Sequence, residues 1–481
     1  MPTAIDFTIR ELSQWERCMD FNLRIQGLGK IEELTLNIKP LTVIAGENSS
    51  GKTFATKSIY CVLEALNKNQ LLSAFQEHAS TFLRLVDRYE ARLMPNIAKI
   101  DGDFIFDLVE RVKKVFFDIG ECLNGLSLLE HSKLETILCD HREQLLELSD
   151  SIHRYLNRRS SVAKIRNVKT HLENAADVLI KINESLNQNT KTVSNFIAKS
   201  LNDNFKKNYQ VTSLSQLINV NKNDGAKIVL DNIGELQFGS RDTINFSFAA
   251  QGIHEIQSLE YVVFIDSPAY LRIRKGLQKF PLSFYRNSPL SRELKGYPEY
   301  IDNLYSYIDR EYIDEPEQNF LELSKRLQQT IIGKLDVNKS GEIVYLDETG
   351  RPTPLSLAAT GVSNLGLLDL LIRNSVIKKG SFLIIDEPEA HIHPKWQVVL
   401  MEVLYEMAQA GVNVIIATHS LDMLKKLEML VKQNEAAEEI VAVHRMPESN
   451  LSENAPLLSK IEEALDDLST PFYDMYMEDN F

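Results

Sequence analysis

The stretch VIAGENSSGKTF, residues 43–54, decides the fold of this chain. It fits the pattern G-x-x-x-x-G-K-[ST], with Gly46, Gly51, Lys52 and Thr53 at the fixed positions. A short apolar run, LTVIA, precedes the loop, and apolar residues recur at helical spacing after it. The motif therefore lies between a strand and a helix, which is the context that a phosphate-binding loop needs.

The chemistry of this loop suits a nucleotide with its magnesium ion. Backbone N–H groups of such a loop, together with the N-terminus of the following helix, point at phosphate oxygens. The lysine can reach the β- and γ-phosphates, and the hydroxyl of the last residue can ligate Mg²⁺. We therefore expect the nucleotide to be bound by Gly46, Glu47, Asn48, Ser49, Ser50, Gly51, Lys52 and Thr53.

The composition is that of an ordinary globular chain, with 44% hydrophobic and 25% charged residues among 481. The formal net charge is −14, and residues 451–481 contribute half of it, with eight acids and one base. An acidic protein does not coat DNA without sequence preference unless its bases cluster on one face, so the charge favours protein partners. We see no signal peptide and no stretch apolar enough to span a bilayer, and expect a cytoplasmic protein without a membrane partner.

Two later strands end in side chains that suit nucleotide chemistry. In FLIIDEPEAHIHP, residues 382–394, four apolar residues lead to Asp386, which can help to hold Mg²⁺, and to Glu387, which can orient or deprotonate water. In VNVIIATHS, residues 412–420, a second apolar strand leads to His419, which can reach the γ-phosphate. Since parallel strand ends share one edge of a sheet, these residues and the glycine-rich loop converge on one candidate site.

A third segment, LAATGVSNLGLLDLLI (residues 357–372), begins with small residues and continues as a helix with one apolar face. Thr360 and Gly361 at the start of this helix are either a second phosphate-binding geometry or an ordinary junction between a loop and a helix. One chain cannot easily bring this loop and the Lys52 loop to the same nucleotide if they lie on opposite faces.

The order of these motifs resembles that of ABC/SMC-type ATPase heads, and DEPEAHIHP and ATHS are most similar to the OLD-like branch of those heads. The resemblance implies an α/β fold, a P-loop NTPase ABC-type head with a mixed sheet and an inserted helical subdomain. It also implies that two heads sandwich two ATP molecules, in a dimer or a higher oligomer. Thr360 and Gly361 of one chain would then face the Lys52 loop of the other.

The resemblance further implies a role for each motif residue. Glu387 would be the hydrolytic glutamate and His419 the switch histidine, while Thr53 and Asp386 would hold Mg²⁺ and residues 390–393 would form the D-loop at the seam between the copies. The chain departs from the family pattern where Thr360 replaces the serine of the signature loop. The glutamine that links nucleotide and insertion cannot be placed among Gln70, Gln76 and Gln251, and we expect His391 and His393 to be structural rather than a metal pair.

Helical patterns rich in Leu, Glu and Lys separate strand-rich regions along the chain. We predict a head whose first part spans residues 1–66, a helical insertion at 67–210, a continuation of the head at 211–335, a second lobe at 336–450 and an acidic tail at 451–481. Within this tail, apolar residues at helical spacing favour an amphipathic helix with a solvated acidic face over a catalytic metal cluster of Glu462, Glu463, Asp466 and Asp467.

OLD nucleases carry a Toprim domain after the head, and too little sequence follows His419 to hold one. The chain therefore resembles the stand-alone ATPase subunits of two antiphage systems, Septu, with an HNH nuclease, and PARIS, with a Toprim nuclease. The resemblance implies an ATP-hydrolysing scaffold or sensor that controls a separate nuclease subunit, with DNA or a phage component as a further partner. The alternative is a RecF- or SMC-like repair or recombination ATPase that binds DNA directly.

Overall fold

The computed structural model describes residues 19–68, 72, 75–76, 78–85, 102–124, 131–158, 166–185, 190–219, 225–239, 242–248, 256, 259–279, 296–310, 315–447 and 455–478. The chain divides into two compact units. One, the head, is formed by Met1–Asn67 and Leu201–Phe481, and the other, the helical unit, by Lys68–Ser200. The sequence placed the insertion at 67–210.

The described strands all lie in the head and form three sheets. One is antiparallel, in the order β2-β1-β4-β5-β6, one is a small antiparallel sheet, β10-β9-β8, and one is parallel, in the order β13-β3-β12-β11-β7. The strands are β1 (Phe21–Leu28), β2 (Ile31–Ile38), β3 (Leu41–Gly46), β4 (Ala226–Leu230), β5 (Gly234–Gly239), β6 (Thr243–Phe248), β7 (Val262–Ile265), β8 (Gly333–Val337), β9 (Ile343–Asp347), β10 (Pro352–Pro354), β11 (Phe382–Asp386), β12 (Asn413–Thr418) and β13 (Val441–Met446).

The α-helices of the described residues fall between and after these strands. They are α1 (Lys52–Asn67), α2 (Gly102–Asn124), α3 (His131–Arg158), α4 (Arg166–Ser185), α5 (Thr190–Tyr209), α6 (Ala269–Lys279), α7 (Glu299–Ile308), α8 (Gln318–Ile331), α9 (Thr360–Arg373), α10 (Pro394–Gln409), α11 (Leu421–Gln433), α12 (Ala437–Ile440) and α13 (Leu457–Glu478). Among the described residues, none of these helices is long and apolar enough to cross a membrane.

The parallel sheet forms the centre of the head because its strands are continuous apolar runs. Every residue of β3, β11 and β12 is buried. Helix α1 packs against β7, β11 and β12, and α10 packs against β12. The antiparallel strand β1 instead alternates buried and exposed residues over most of its length, as a sheet with one buried face requires. The predicted α/β P-loop head with inserted helices is confirmed, and its parallel and antiparallel strands lie in separate sheets instead of one mixed sheet.

The stretches FNLRIQGLGKIEELTLNI at 21–38 and GEIVYLDETGRPTPLSLAAT at 341–360 predict strands joined by turns at 27–29 and 348–350, and both hairpins are present. The turn between β1 and β2 lies at residues 29 and 30. Gly27, near the end of β1, and Gly29 have φ of +68° and +57°, values that glycine adopts without steric cost. Strands β9 and β10 pair across the turn that contains Gly350, whose φ is +77°. Both turns therefore follow from their glycines and the alternating strands beside them.

In the helical unit, helices α3 and α4 pack together. The sequence EHSKLETILCDHREQLLELSDSIHRYLNRR at 130–159 predicts a helix with an apolar stripe of Leu134, Ile137, Leu138, Leu145, Leu146, Leu148 and Ile152. Leu145, Leu148 and Ile152 of this stripe are buried in α3. Leu146, which we placed on the same stripe, is exposed because it lies one residue, about 100° around the helix, from Leu145. The remaining leucines and isoleucine of the stripe, in the first turns of α3, lie outside the residues whose side chains are described.

The end of the chain, which the sequence assigned to an acidic tail, is the helix α13, packed on α11 and β13. Ile461 and Ala464 are buried, as the amphipathic interpretation predicted. Two of its acids pair with Arg445 of β13, since Asp467 Oδ1 lies 2.9 Å from Nη1 and Glu463 Oε1 lies 4.0 Å from Nε. These carboxylates therefore contribute to the docking of the helix.

Candidate nucleotide-binding site

Strand register brings the chemical motifs to one edge of the parallel sheet. Ala45 of β3 pairs with Thr418 of β12, and Ala417 pairs with Asp386 of β11. Because the strands are parallel, the loops that follow them leave the sheet on the same side. The glycine-rich loop, the Asp-Glu pair and the histidine therefore meet at one edge, as the sequence predicted.

Gly46 is required where β3 ends, because β13 passes close to it. A Cβ atom at this position would lie 2.1 Å from the carbonyl oxygen of Met446. Gly51 and Ser49 have φ of +105° and +67°, so the loop turns sharply before α1 begins. The amide of Ala55 then donates to the Gly51 carbonyl at 3.0 Å and starts the helix.

The Lys52 side chain binds back to the backbone of the loop that precedes it. Its ammonium donates to the carbonyl oxygens of Gly46 and Glu47 at 2.8 and 2.7 Å, and the residue is only 4% exposed. Burial lowers the pKa of Lys52, and the charges of Glu387, Asp386, Glu389 and Glu47 oppose that shift. The lysine is thus in the field of the carboxylates at and after the end of β11.

Asp386 is a buried carboxylate with one oxygen left without a partner. The residue is 6% exposed, and the Thr53 hydroxyl forms a hydrogen bond with its carboxylate. Its Oδ1 makes no hydrogen bond within the described residues. Burial raises the pKa of Asp386 to about 6, and the nearby charge of Glu387 adds to that rise. The carboxylate is therefore suited to take up a positive charge.

Glu387 has a strained backbone at the point where β11 ends. Its φ is +50°, in the left-handed region that residues with a Cβ rarely occupy. Its amide donates to the Ala417 carbonyl of β12 at 2.9 Å, so the strand pairing extends one residue past Asp386 before the chain turns.

Glu389 holds His419, and the sequence interpretation missed it. Its Oε1 accepts the backbone N–H of His419 at 2.7 Å and lies 3.0 Å from the Nδ1 atom of the ring. The Glu389 carboxylate beside the ring raises the pKa of His419, whereas the pairing with His419 lowers the pKa of Glu389 against the effect of its burial. The second glutamate of DEPE is visible in the sequence, but only the fold shows that its side chain reaches the histidine at the end of β12.

The Thr360 loop contacts the segment that follows β11. A Cβ on Gly361 would lie 3.1 Å from the His391 carbonyl, and the Asn364 amide donates to the Ala390 carbonyl at 2.9 Å. Arg272 of α6 binds the loop through Nη2, which donates to the Ala358 carbonyl at 2.8 Å and to Thr360 Oγ1 at 3.2 Å. The described contacts of this loop are therefore with Arg272 and the segment after β11, whereas Lys52 contacts Gly46 and Glu47.

The remaining candidates of the sequence have structural positions or lie outside the described residues. His393 caps α10, since its Nδ1 accepts the Lys395 amide at 3.2 Å, and the His391 backbone has a left-handed φ of +62°. Gln76 is exposed in the helical unit, whereas Gln70 and Gln251 lie outside the described residues. No group of three or more His, Cys, Asp or Glu side chains in the described part of the chain is placed to hold a metal ion.

The residues at the sheet edge fit a nucleotide with a divalent cation. Two buried atoms there, Ser50 Oγ and Asp386 Oδ1, have no hydrogen-bond partner among the described residues, so each is free to bind an added group. Lys52 and the loop amides would hold the phosphates, and Thr53 with Asp386 would hold Mg²⁺. The cation would supply charge neutralisation for the phosphates.

The chain matches the family model AAA_15, described as AAA ATPase domain, over residues 21–424. A comparison with curated proteins finds no match.

Among solved structures, the chain is similar to an SMC head bound to the C-winged helix domain of ScpA, with 11% identity over 85% of this chain and 91% of that one and a TM-score of 0.35. It is also similar to the SMC head domain from Thermotoga maritima, with 9% identity over 85% and 92% and a TM-score of 0.31. A third is the Smc head with coiled coil and joint from Pyrococcus yayanosii, with 12% identity over 94% and 99% and a TM-score of 0.32. Similarities at these TM-scores carry no argument about function.

Proposed function

Since the chain belongs to the AAA_15 family of AAA ATPase domains, we propose that it hydrolyses ATP at the Lys52 loop and uses the nucleotide to control an assembly. The observation that carries this proposal is the convergence of Lys52, Asp386, Glu387 and His419 at one sheet edge. The charges of Asp386 and Glu387 raise the pKa of Lys52. The charge of Glu387 raises the pKa of His419, and the charge of Lys52 lowers it.

Each side chain has a distinct part in the proposed hydrolysis. The Lys52 ammonium exchanges its two backbone carbonyls for the β- and γ-phosphate oxygens of ATP. The Glu387 carboxylate orients a water molecule and accepts its proton as the water attacks the γ-phosphate. His419, whose pKa the Glu389 carboxylate raises, would in its protonated form place a positive charge beside the phosphate oxygens that gain negative charge.

Two copies of the chain complete the site in this proposal. Thr360 and Gly361 of one copy face the nucleotide held by the Lys52 loop of the other. Two facts support this arrangement, the resemblance to ABC/SMC-type heads and the contact of the Thr360 loop with residues 390–393, the segment that the resemblance assigns to the seam. ATP then favours a dimer or a higher oligomer.

For the biological role, we propose an antiphage complex in which this subunit holds and controls a separate nuclease, of the HNH type if the system is Septu and of the Toprim type if it is PARIS. The motif forms DEPEAHIHP and ATHS and the net charge of −14 support a protein partner over bulk DNA. Co-expression with the neighbouring gene, followed by purification, tests this role. A co-purifying nuclease and loss of phage protection in Lys52→Ala would support it, and neither would occur if the role is wrong.

The ATPase activity is tested separately from the role. Phosphate release by the purified chain with ATP and Mg²⁺ should be abolished in Lys52→Ala and should persist in a variant far from the sheet edge, such as Asp231→Asn. Asp231 is partly exposed and pairs with Arg24 at 3.3 Å. A direct DNA-binding ATPase, the alternative role, would instead show ATP-dependent DNA affinity that falls steeply with salt.

A further inference from the structure

Asp266 lies beside Asp386 at the same edge of the parallel sheet. Strand β7 pairs with β11, with Ile265 opposite Ile385, so Asp266 and Asp386 are the next residues on adjacent strands. Neighbouring strands are about 5 Å apart, which leaves two carboxylates side by side. The charge of Asp266 contributes to the raised pKa of Asp386, as this proximity requires.

One carboxylate oxygen of Asp266 accepts a hydrogen bond, and the other has no partner among the described residues. The Tyr300 hydroxyl donates a hydrogen bond to Oδ2 of Asp266. Tyr300 is only 2% exposed, and its backbone N–H donates to Asn208 Oδ1 at 2.9 Å. Oδ1 of Asp266 is shielded from solvent and has no hydrogen-bond partner in the described part of the chain, and the same is true of Asp386 Oδ1. Neighbouring strand ends therefore each present a shielded carboxylate oxygen without a partner.

Two lysines lie near these acids among the described residues. The Lys57 ammonium lies over the rings of Tyr209 and Tyr300, 5.7 and 5.3 Å from their centroids, and its charge favours the ionised form of both aspartates, while Lys52 interacts with Asp386. These two monovalent charges face three acids, Asp266, Asp386 and Glu387, so negative charge remains uncompensated in a low-dielectric site. A divalent cation would remove that excess, and carboxylate oxygens are the ligands it prefers.

From this geometry we infer that Asp266 is a second carboxylate of the divalent-cation site, acting with Asp386 on the cation or on its bound water. Tyr300 is the positioning residue that holds Oδ2. This inference rests on the proposed function, since the cation is the one that accompanies ATP. A signal was present in the sequence, because VVFID at 262–266 repeats the pattern of FLIID at 382–386, an apolar strand that ends in aspartate.

The test compares Asp266→Asn with wild type and with Asp231→Asn, which removes the same charge at a partly exposed site. Binding of a fluorescent ATP analogue is measured as Mg²⁺ is raised from zero, and Mn²⁺ binding in the presence of ATP is followed by electron paramagnetic resonance. We expect Asp266→Asn to raise the Mg²⁺ and Mn²⁺ concentrations for half-saturation about 10-fold or more, with nucleotide affinity in chelator unchanged or higher. Tyr300→Phe, which keeps the carboxylate but frees Oδ2, should give a smaller shift in the same direction.

The outcomes separate this inference from the proposed function. If Asp266→Asn and Tyr300→Phe have the cation dependence of wild type while Asp386→Asn loses it, the inference is wrong and the ATPase proposal stands. If Asp266→Asn binds the cation more tightly, the carboxylate is a repulsive neighbour and the inference is again wrong. If the wild-type chain binds no nucleotide with or without Mg²⁺, the proposed function itself is wrong. Should Asp266→Asn fail to fold, the Tyr300→Phe titration decides the question alone.

Discussion

The carboxylate of Glu389 makes two contacts with His419, one with its backbone amide at 2.7 Å and one with its ring Nδ1 at 3.0 Å. A single buried acid thus fixes both the position and the charge of a histidine on the neighbouring strand. The second contact leaves the Nε2 atom of the ring as the one available to a phosphate. The pair therefore raises the pKa of the histidine and favours its protonated form.

Replacement of Glu389 by glutamine should lower the pKa of His419. The contact with the Glu389 carboxylate is the largest cause of the raised pKa, so its loss leaves desolvation and the Lys52 charge, which favour the neutral ring, opposed only by the charge of Glu387. The pairing stabilises the fold fully below the ordinary histidine pKa, and this contribution is lost as pH rises through the raised one. A proton NMR titration of the histidine Cε1–H signals, assigned with His419→Gln, measures the shift. An unchanged pKa in Glu389→Gln would contradict the pairing.

Replacement of Asp386 by asparagine should stabilise the chain in the absence of nucleotide and Mg²⁺. The folded-state pKa of about 6 exceeds the ordinary value, so folding is penalised as pH rises through 4 to 6. The variant lacks that penalty, and its advantage should grow from none near pH 4 to about 1–3 kcal/mol above pH 7. Urea unfolding at both pH values, with Asp231→Asn as the control, measures it. A variant that is less stable at pH 7 would show that the buried carboxylate is already compensated.

Replacement of Arg272 by alanine should reduce ATP turnover while each copy still binds nucleotide. The guanidinium holds the Ala358 carbonyl and the Thr360 hydroxyl, so its loss frees the loop that faces the second copy in the proposal. We expect turnover to fall about 10-fold or more, as for loss of one positioning contact. Phosphate release and nucleotide affinity, each compared with Arg24→Ala, separate the two effects. An equal loss of phosphate release and nucleotide affinity would instead show that Arg272 contributes to the general stability of the fold.

Replacement of Gly46 by alanine should destabilise the head strongly. The added Cβ would lie 2.1 Å from the Met446 carbonyl, so β13 or the loop has to move. The matched control is Gly120→Ala in α2, where a Cβ meets its nearest neighbour at 3.9 Å. Alanine in a helix interior stabilises by about 0.5–1 kcal/mol relative to glycine, so the two substitutions should shift the melting temperature in opposite directions. A Gly46→Ala chain as stable as wild type would contradict the register of β3 and β13.

The sequence predicted those features that depend on local pattern. Apolar runs bounded by glycine or by acids located β3, β11 and β12, and the loop motif fixed the order strand, loop, helix. Glu389, Asp266 and Arg272 were not predicted, because their importance depends on which strands are neighbours and in what register. The prediction that Leu146 belongs to the buried stripe was wrong for a related reason, since helical spacing alone does not define how wide the buried face is.

The central claim, that this chain hydrolyses ATP with Glu387 as the group that activates water, is tested most directly by Glu387→Gln. Bound nucleotide and released phosphate are measured in the same sample after one turnover time of the wild type. We predict that the variant retains intact ATP with phosphate release reduced at least about 100-fold, whereas Lys52→Ala retains none. Phosphate release by Glu387→Gln at the wild-type rate would contradict the account.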